Sequence, residues 1–135
     1  MREAACDTSV LVPALVAWHP DHEAMRRALK QSVTAVPAHV LVECYSVLTR
    51  LPAPHRVAAS DAAAAIAGVG LQPLGLPAAK HRDLVVRLAA AGVRGGAVYD
   101  GLVAATTRHH DRGLLTRDSR ARATYDVLGA RYTLV

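Results

Sequence analysis

Short apolar runs alternate along the chain with longer stretches whose apolar residues recur every three to four positions, the pattern of βαβ units on a mostly parallel sheet. The run Glu3 to Cys6 predicts a buried strand. Asp7-Thr8-Ser9 follows it directly as a helix-starting cluster, with a short helix over Val10 to Ala17. Pro20 with Asp21, His22 and Glu23 opens a second helix to about Gln31, placing Met25, Ala28 and Leu29 on one face. Val33 to Val36 reads as a second strand. Ala38 to Arg50 carries Val40, Leu41, Cys44, Val47 and Leu48 at helical spacing until Pro52 and Pro54 stop it, and Glu43 interrupts its apolar side.

The second half continues the alternation. Arg56 to Ala67 predicts an alanine-rich helix closed by Gly68 and Gly70, and Leu71 to Leu76 a third strand that includes Pro73. Ala78 to Ala91 predicts an amphipathic helix ended by Gly92, and a glycine loop over 92–97 leads to Asp100. From Asp100 a helix is expected to about Asp111, then a strand over Gly113 to Thr116, a last helix opened by Asp118, and a final strand over Arg131 to Val135. The expectation is one α/β domain over residues 1–135, with a mostly parallel central sheet flanked by helices.

Composition narrows this picture. Although 52% of residues are hydrophobic, no apolar run approaches the ~20 residues of a membrane span. The opening Met-Arg-Glu-Ala-Ala-Cys-Asp puts an acid where a secretory core would begin, so a cytoplasmic protein is expected. Cys6 and Cys44 lack a CxxC spacing and read as small buried hydrophobes. The net charge is +5; residues 1–67 hold 6 basic and 6 acidic side chains and residues 68–135 hold 10 and 5, so the excess lies in the second half. A one-sided basic surface favours a polyanionic partner such as nucleic acid.

Four acids carry the candidate chemistry. Asp7 and Asp118 each follow an apolar strand, so each is expected at the carboxyl edge of the sheet, where open α/β folds bind ligands. Glu43 lies between valines in its helix, and Asp100 stands in the first turn of a helix reached through glycines. Carboxylates held ~4 Å apart repel by roughly 4 kcal/mol per pair at an effective dielectric near 20, so such a cluster protonates or binds a cation. Hard oxygen donors select Mg²⁺ or Mn²⁺, and the associated chemistry is phosphodiester hydrolysis. Taken singly, Asp7 and Asp118 also serve as helix N-caps, Asp100 as a first-turn acid favoured by the helix dipole, and Glu43 as half of an ion pair.

The order of these segments resembles the PIN-domain family, specifically its VapC toxins. The resemblance rests on Asp7-Thr8-Ser9 after the first strand, Glu43 in a mid-chain helix, Tyr99-Asp100-Gly101-Leu102-Val103-Ala104-Ala105-Thr106 after a glycine loop, and Leu114-Leu115-Thr116-Arg117-Asp118. It spans almost the whole chain. It implies a doubly wound domain, an acidic Mg²⁺ or Mn²⁺ site on Asp7, Glu43, Asp100 and Asp118, and cleavage of RNA restrained by a cognate VapB-like antitoxin, with a homodimer as the assembly. The family's supporting hydroxyls fall on Ser9 and Thr116, which either orient carboxylates and bound waters or satisfy backbone at turns.

Around this set, Arg112, Arg117, Arg120 and Arg122 either line an RNA path or lie on solvated helix surface. Tyr99, Trp18 and Tyr45 either stack a base or occupy core or interface positions; 4% aromatic content is too little for the extended platform of a dedicated single-strand binder. The face of Trp18, Met25 and Leu29 is either an antitoxin groove or ordinary core. His19 with His22, and His109 with His110, lack a further ligand at zinc spacing. Three rival functions remain on these residues. A housekeeping PIN nuclease would carry an extra RNA-binding module. A receiver-type signalling domain would need paired acids near the first strand and a late lysine, whereas no lysine follows Lys80. A non-catalytic RNA-binding module would not need four acids.

Overall fold

The computed structural model describes residues 3–135. Met1 and Arg2, the head of the segment read for an export signal, lie outside the described residues. Five parallel strands form one sheet in the order β3-β2-β1-β4-β5: β1 (Ala4–Cys6), β2 (Val33–Pro37), β3 (Gln72–Leu74), β4 (Gly113–Thr116) and β5 (Tyr132–Leu134). The chain winds outward from β1 through β2 to β3, then returns to place β4 on the other side of β1. The winding therefore reverses between β1 and β4, and the carboxyl ends of those two strands border the crevice where such sheets bind ligands. Cys6 pairs in register with Leu115, so Asp7 and Thr116 leave the sheet at the same level.

Among the described residues seven α-helices cover the sheet: α1 (Thr8–Leu15), α2 (His22–Ser32), α3 (Ala38–Thr49), α4 (Ala59–Ala67), α5 (His81–Ala90), α6 (Ala97–His109) and α7 (Arg122–Val127). β1 is made of Ala4, Ala5 and Cys6, all buried, because helices pack on both faces of the central strand and leave room only for small side chains. Val36, Val40, Leu48, Leu11, Leu114 and Leu128 are at most 1% exposed and fill the layers between sheet and helices. Each such side chain contributes about 1.5–3 kcal/mol by leaving water.

Several boundaries differ from the sequence expectation for local reasons. α1 begins at Thr8, two residues early, because the Asp7 carboxylate caps it by accepting the Ser9 N–H. α4 begins at Ala59 rather than Arg56, whose Nε donates to the Leu51 carbonyl at 3.0 Å and closes the proline-rich loop instead. α6 begins at Ala97, so Asp100 stands at its fourth residue. The helix expected from Asp118 is a 3₁₀ turn, Ser119–Ala121, running into α7. Pro73 is tolerated in β3 because that strand is at the sheet edge. Among the described residues no helix is long and apolar enough to cross a membrane.

Candidate active site

The four acids come from four segments that the winding brings to one end of the sheet. Asp7 is 5% exposed. Its Oδ1 accepts from the Ser9 backbone N–H at 3.1 Å and from the Ser9 hydroxyl at 2.5 Å, and its Oδ2 accepts from the Tyr125 hydroxyl at 2.7 Å. Burial pushes its carboxyl above the usual carboxylate range, while hydrogen bonds from Ser9, Thr116 and Tyr125 pull the other way. Asp118 stands two residues past β4; its Oδ1 accepts from the Arg120 N–H at 2.9 Å. Both aspartates therefore cap turns, and capping leaves each a carboxylate oxygen for other partners.

Asp100 joins these groups electrostatically. Its carboxyl is pushed up to about 6, first by burial and then by the negative charges of Asp118, Glu43 and Asp7, with Arg120 acting in the opposite sense. Glu43 is less enclosed than its valine neighbours suggest. Its side chain is 36% exposed, and Oε2 lies 3.3 Å from His39 Nε2 one helical turn earlier. The reason is helical phase: Val40 and Cys44 face the core and Val42 faces solvent, leaving Glu43 on the rim between them.

Ser9 and Thr116 tie the site together. The Ser9 hydroxyl gives its one hydrogen to Asp7 and accepts from the Arg117 N–H at 2.7 Å. Thr116 Oγ1 lies 3.4 Å from Ser9 Oγ and accepts from the Asp118 N–H at 3.1 Å. The two hydroxyls thus link the turn after β1 to the turn after β4, with bonds both to the Asp7 carboxylate and to backbone N–H groups.

The arginines read as either lining an RNA path or lying on solvated surface occupy different places. Arg112 precedes β4, so it sits at the opposite edge of the sheet; it donates to Thr34 Oγ1 at 2.8 Å and lies 3.5 Å from Glu3. A parallel strand separates its two ends, and Arg112 is on the end away from the acids. The Arg117 guanidinium is engaged by Asp21. Arg120 is 95% exposed with Nε 3.8 Å from Asp118, the one of the three that is both free to reach solvent and beside the acids. Arg122 opens α7.

Of the positions expected for the aromatic residues, the core is excluded: Trp18, Tyr45 and Tyr99 are 47%, 39% and 52% exposed. Met25 is buried in the core, whereas Leu29 packs against the core and stays partly exposed. Three of the four histidines at His19/His22 and His109/His110 have backbone partners. His19 Nδ1 accepts from the Asp21 N–H at 3.0 Å, His22 Nδ1 lies 2.9 Å from the Pro13 carbonyl, and His110 Nε2 lies 2.8 Å from the Gly75 carbonyl. Both cysteines are free and buried, and burial pushes the Cys44 thiol up to about 12.

Sequence reasoning missed Tyr125 and His39. Ala121, Tyr125 and Leu128 are all 1% exposed at i, i+4 and i+7, a buried stripe whose one hydroxyl requires a partner, and that stripe is readable in the sequence. His39 and Glu43 stand at i and i+4 in a segment already assigned to helix, which makes them neighbours.

This fold and this acidic crevice define a class, and the chain belongs to the PIN-domain family: the PIN domain model matches residues 4–127. Within that family it is of the VapC type. It is 47% identical to Ribonuclease VapC40 of Mycobacterium tuberculosis over 132 residues, covering 97% of this chain and 98% of that protein. It is 42% identical to Ribonuclease VapC27 of the same organism over 125 residues, covering 93% and 91%. The fold matches the crystal structure of Mycobacterium tuberculosis VapC20, a sarcin-ricin loop cleaving toxin, with a TM-score of 0.70 at 20% identity, over 90% of this chain and 94% of that one.

Proposed function

We propose that this chain is a metal-dependent endoribonuclease and the toxin of a toxin-antitoxin pair, with Asp7, Glu43, Asp100 and Asp118 as its catalytic acids. The observation that carries the reading is the raised Asp100 carboxyl, driven by burial and by three other acids contributed by distant segments. Evenly spaced caps and ion pairs would not concentrate negative charge on one carboxyl in this way. Relatives named as ribonucleases at 47% and 42% identity support the same activity.

The donor set fits Mg²⁺ or Mn²⁺ better than zinc, since every side chain facing the crevice in this role offers oxygen. No three of the described His, Cys, Asp or Glu side chains close on a common ligating point, so the acids form an open set rather than a cage. Mg²⁺ suits an open set because it keeps several waters and takes only one or two carboxylates directly. When bound, the ion acidifies a water and neutralises charge on the scissile phosphate. Ser9, Thr116 and Tyr125 fix Asp7 and the Asp118 turn, two of the acids that would hold the ion. Arg120 reaches from the same turn toward a phosphate beside the site.

A cognate antitoxin would restrain the enzyme by placing a basic side chain among the acids and an apolar segment on the surface. The groove between α1, α2 and α4, about 340 Å³ and lined by Leu15, Leu29, Ala64 and Val69 with Arg26 and Lys30 at its rim, suits an amphipathic segment with acidic residues. A homodimer is the assembly that the VapC type implies. The decisive experiment is cleavage of labelled single-stranded and structured RNAs by purified protein with Mg²⁺, Mn²⁺ or EDTA, beside Asp100→Asn. Cleavage that requires metal and disappears in the variant supports the nuclease. Wild-type protein that binds metal yet cuts nothing in a broad RNA panel overturns it.

A further inference from the structure

We propose that His39 and Tyr99 form a base-stacking platform that seats the nucleobase next to the phosphate being cut, so that the enzyme selects an unpaired nucleotide. The inference rests on the ribonuclease reading of the acids and adds a determinant of substrate form to it.

Three observations meet at this pair. The two rings are parallel, at an interplanar angle of 4° with centroids 5.3 Å apart. Tyr99 is 52% exposed, so the stack presents ring surface to solvent, and its hydroxyl has no protein hydrogen bond among the described residues. The pair also adjoins two of the acids. Tyr99 directly precedes Asp100 in α6, and His39 Nε2 lies 3.3 Å from Glu43 in α3. Single exposed aromatics are ordinary on protein surfaces. A parallel stack of two rings, supported from beneath by a second helix and flanked by carboxylates of the cleavage site, is a built surface.

A base is tethered to its phosphate through one sugar, so a phosphate held beside Asp100 and Glu43 brings its base within reach of this stack. Any base has a π face, and stacking on tyrosine is tolerant of sequence. A base paired within a helix already has both faces covered, so only a nucleotide in a loop, bulge or single strand can add to the stack. His39 backs Tyr99 and fixes its plane; Tyr99 supplies the surface the base meets.

The test uses full-length protein in two arms. In the first, single-stranded 12-nucleotide RNAs of mixed sequence carrying 2-aminopurine are titrated in EDTA, where cleavage is suppressed and stacking quenches fluorescence. Quenching by wild type and Tyr99→Phe, and its loss in Tyr99→Ala, is expected; no quenching by wild type overturns the platform whatever the nuclease assay shows. In the second, an RNA the wild type cuts is compared with the same RNA lacking the base beside the cut. Tyr99→Ala should lower kcat/KM on intact RNA at least about fivefold. It should leave the two RNAs cut alike, because the partner of the missing base is gone. If Tyr99→Ala discriminates between them as wild type does, the platform is wrong while the nuclease stands. Tyr99→Phe, which keeps the ring, separates loss of stacking from a folding defect.

Discussion

The Tyr125 hydroxyl, on the last helix, donates a 2.7 Å hydrogen bond to Oδ2 of Asp7, 118 residues earlier and at the end of the first strand. Tyr125 is 1% exposed and Asp7 5%, so neither group has water as a substitute partner. Burial raises the Tyr125 phenol above its ordinary range and Asp7's charge raises it further, so the proton stays on the phenol and the bond keeps its direction. Tyr125→Phe removes the donor and preserves the ring. A lost hydrogen bond to a buried charge costs about 2 kcal/mol, and a ligand stripped of its orienting partner loses roughly tenfold or more in activity. Urea unfolding and RNA cleavage, measured on one preparation, should show both losses. Because this bond favours ionised Asp7, the stability difference should shrink as pH falls and Asp7 protonates.

Asp100→Asn should stabilise the fold while abolishing cleavage. The folded Asp100 carboxyl is raised from 3.8 to about 6. Above pH 6 the carboxylate is charged in both folded and unfolded chains, and the folded state bears the full penalty of holding that charge near three other acids. As pH falls from 6 toward 4 the folded state takes up a proton that the unfolded state does not, and the penalty is relieved. Asparagine never carries it. The variant should therefore be about 1 kcal/mol more stable at pH 7, a figure reduced for screening because Asp100 is partly exposed. The gap should close near pH 4. Mg²⁺ should raise the wild-type Tm more than that of the variant, since the ion offsets the same repulsion. Thermal melts at pH 7 and pH 4, with and without Mg²⁺, read all three outcomes; a variant less stable than wild type at pH 7 would contradict the charge cluster.

Much of the architecture was legible in the sequence because its elements are locally determined. The periodicity of Val40, Cys44 and Leu48 marks the buried side of α3, and all three are at most 1% exposed. The strand ends at Cys6 and Thr116 follow from apolar runs interrupted by polar turns. What periodicity could not supply was depth and direction around the acids. Glu43 looks enclosed between valines in one dimension, yet the helix turns Val42 to solvent and leaves Glu43 on the rim with His39. Arg112 lies close in sequence to Thr116 and Asp118, but β4 carries it to the far edge of the sheet. Tyr125 was overlooked because its partner is Asp7, and no local pattern encodes a contact across almost the whole chain.

The separation of Arg112 from Arg120 predicts opposite phenotypes. Arg120→Ala removes an exposed cation beside Asp118 and should weaken RNA binding across sequences, lowering the salt slope of log K by about 1. Arg112→Ala removes the contacts with Thr34 and Glu3 at the opposite edge and should leave cleavage and its salt dependence unchanged. Binding of a labelled RNA across a salt series distinguishes them. Equal losses in the two variants would mean that RNA wraps both edges of the sheet.

Ser9 and Thr116 test whether the acids are held as one unit. Ser9 Oγ donates to Asp7 and accepts from the Arg117 N–H, while Thr116 Oγ1 accepts from the Asp118 N–H and lies 3.4 Å from Ser9 Oγ. Thr116 is fully buried, so Thr116→Val keeps its shape but leaves the Asp118 N–H without that acceptor. Ser9→Ala leaves Asp7 with its backbone and Tyr125 partners and strands the Arg117 N–H. Each change should cost about 1–2 kcal/mol of stability and roughly tenfold in kcat, since both misalign a carboxylate. Groups in one hydrogen-bond network do not add. The double variant should therefore lose less than the product of the two single losses, because the first substitution already frees the turn that the second would release. Additive losses in kcat, measured in a full double-mutant cycle at saturating Mg²⁺, would show that the turns after β1 and β4 position Asp7 and Asp118 independently.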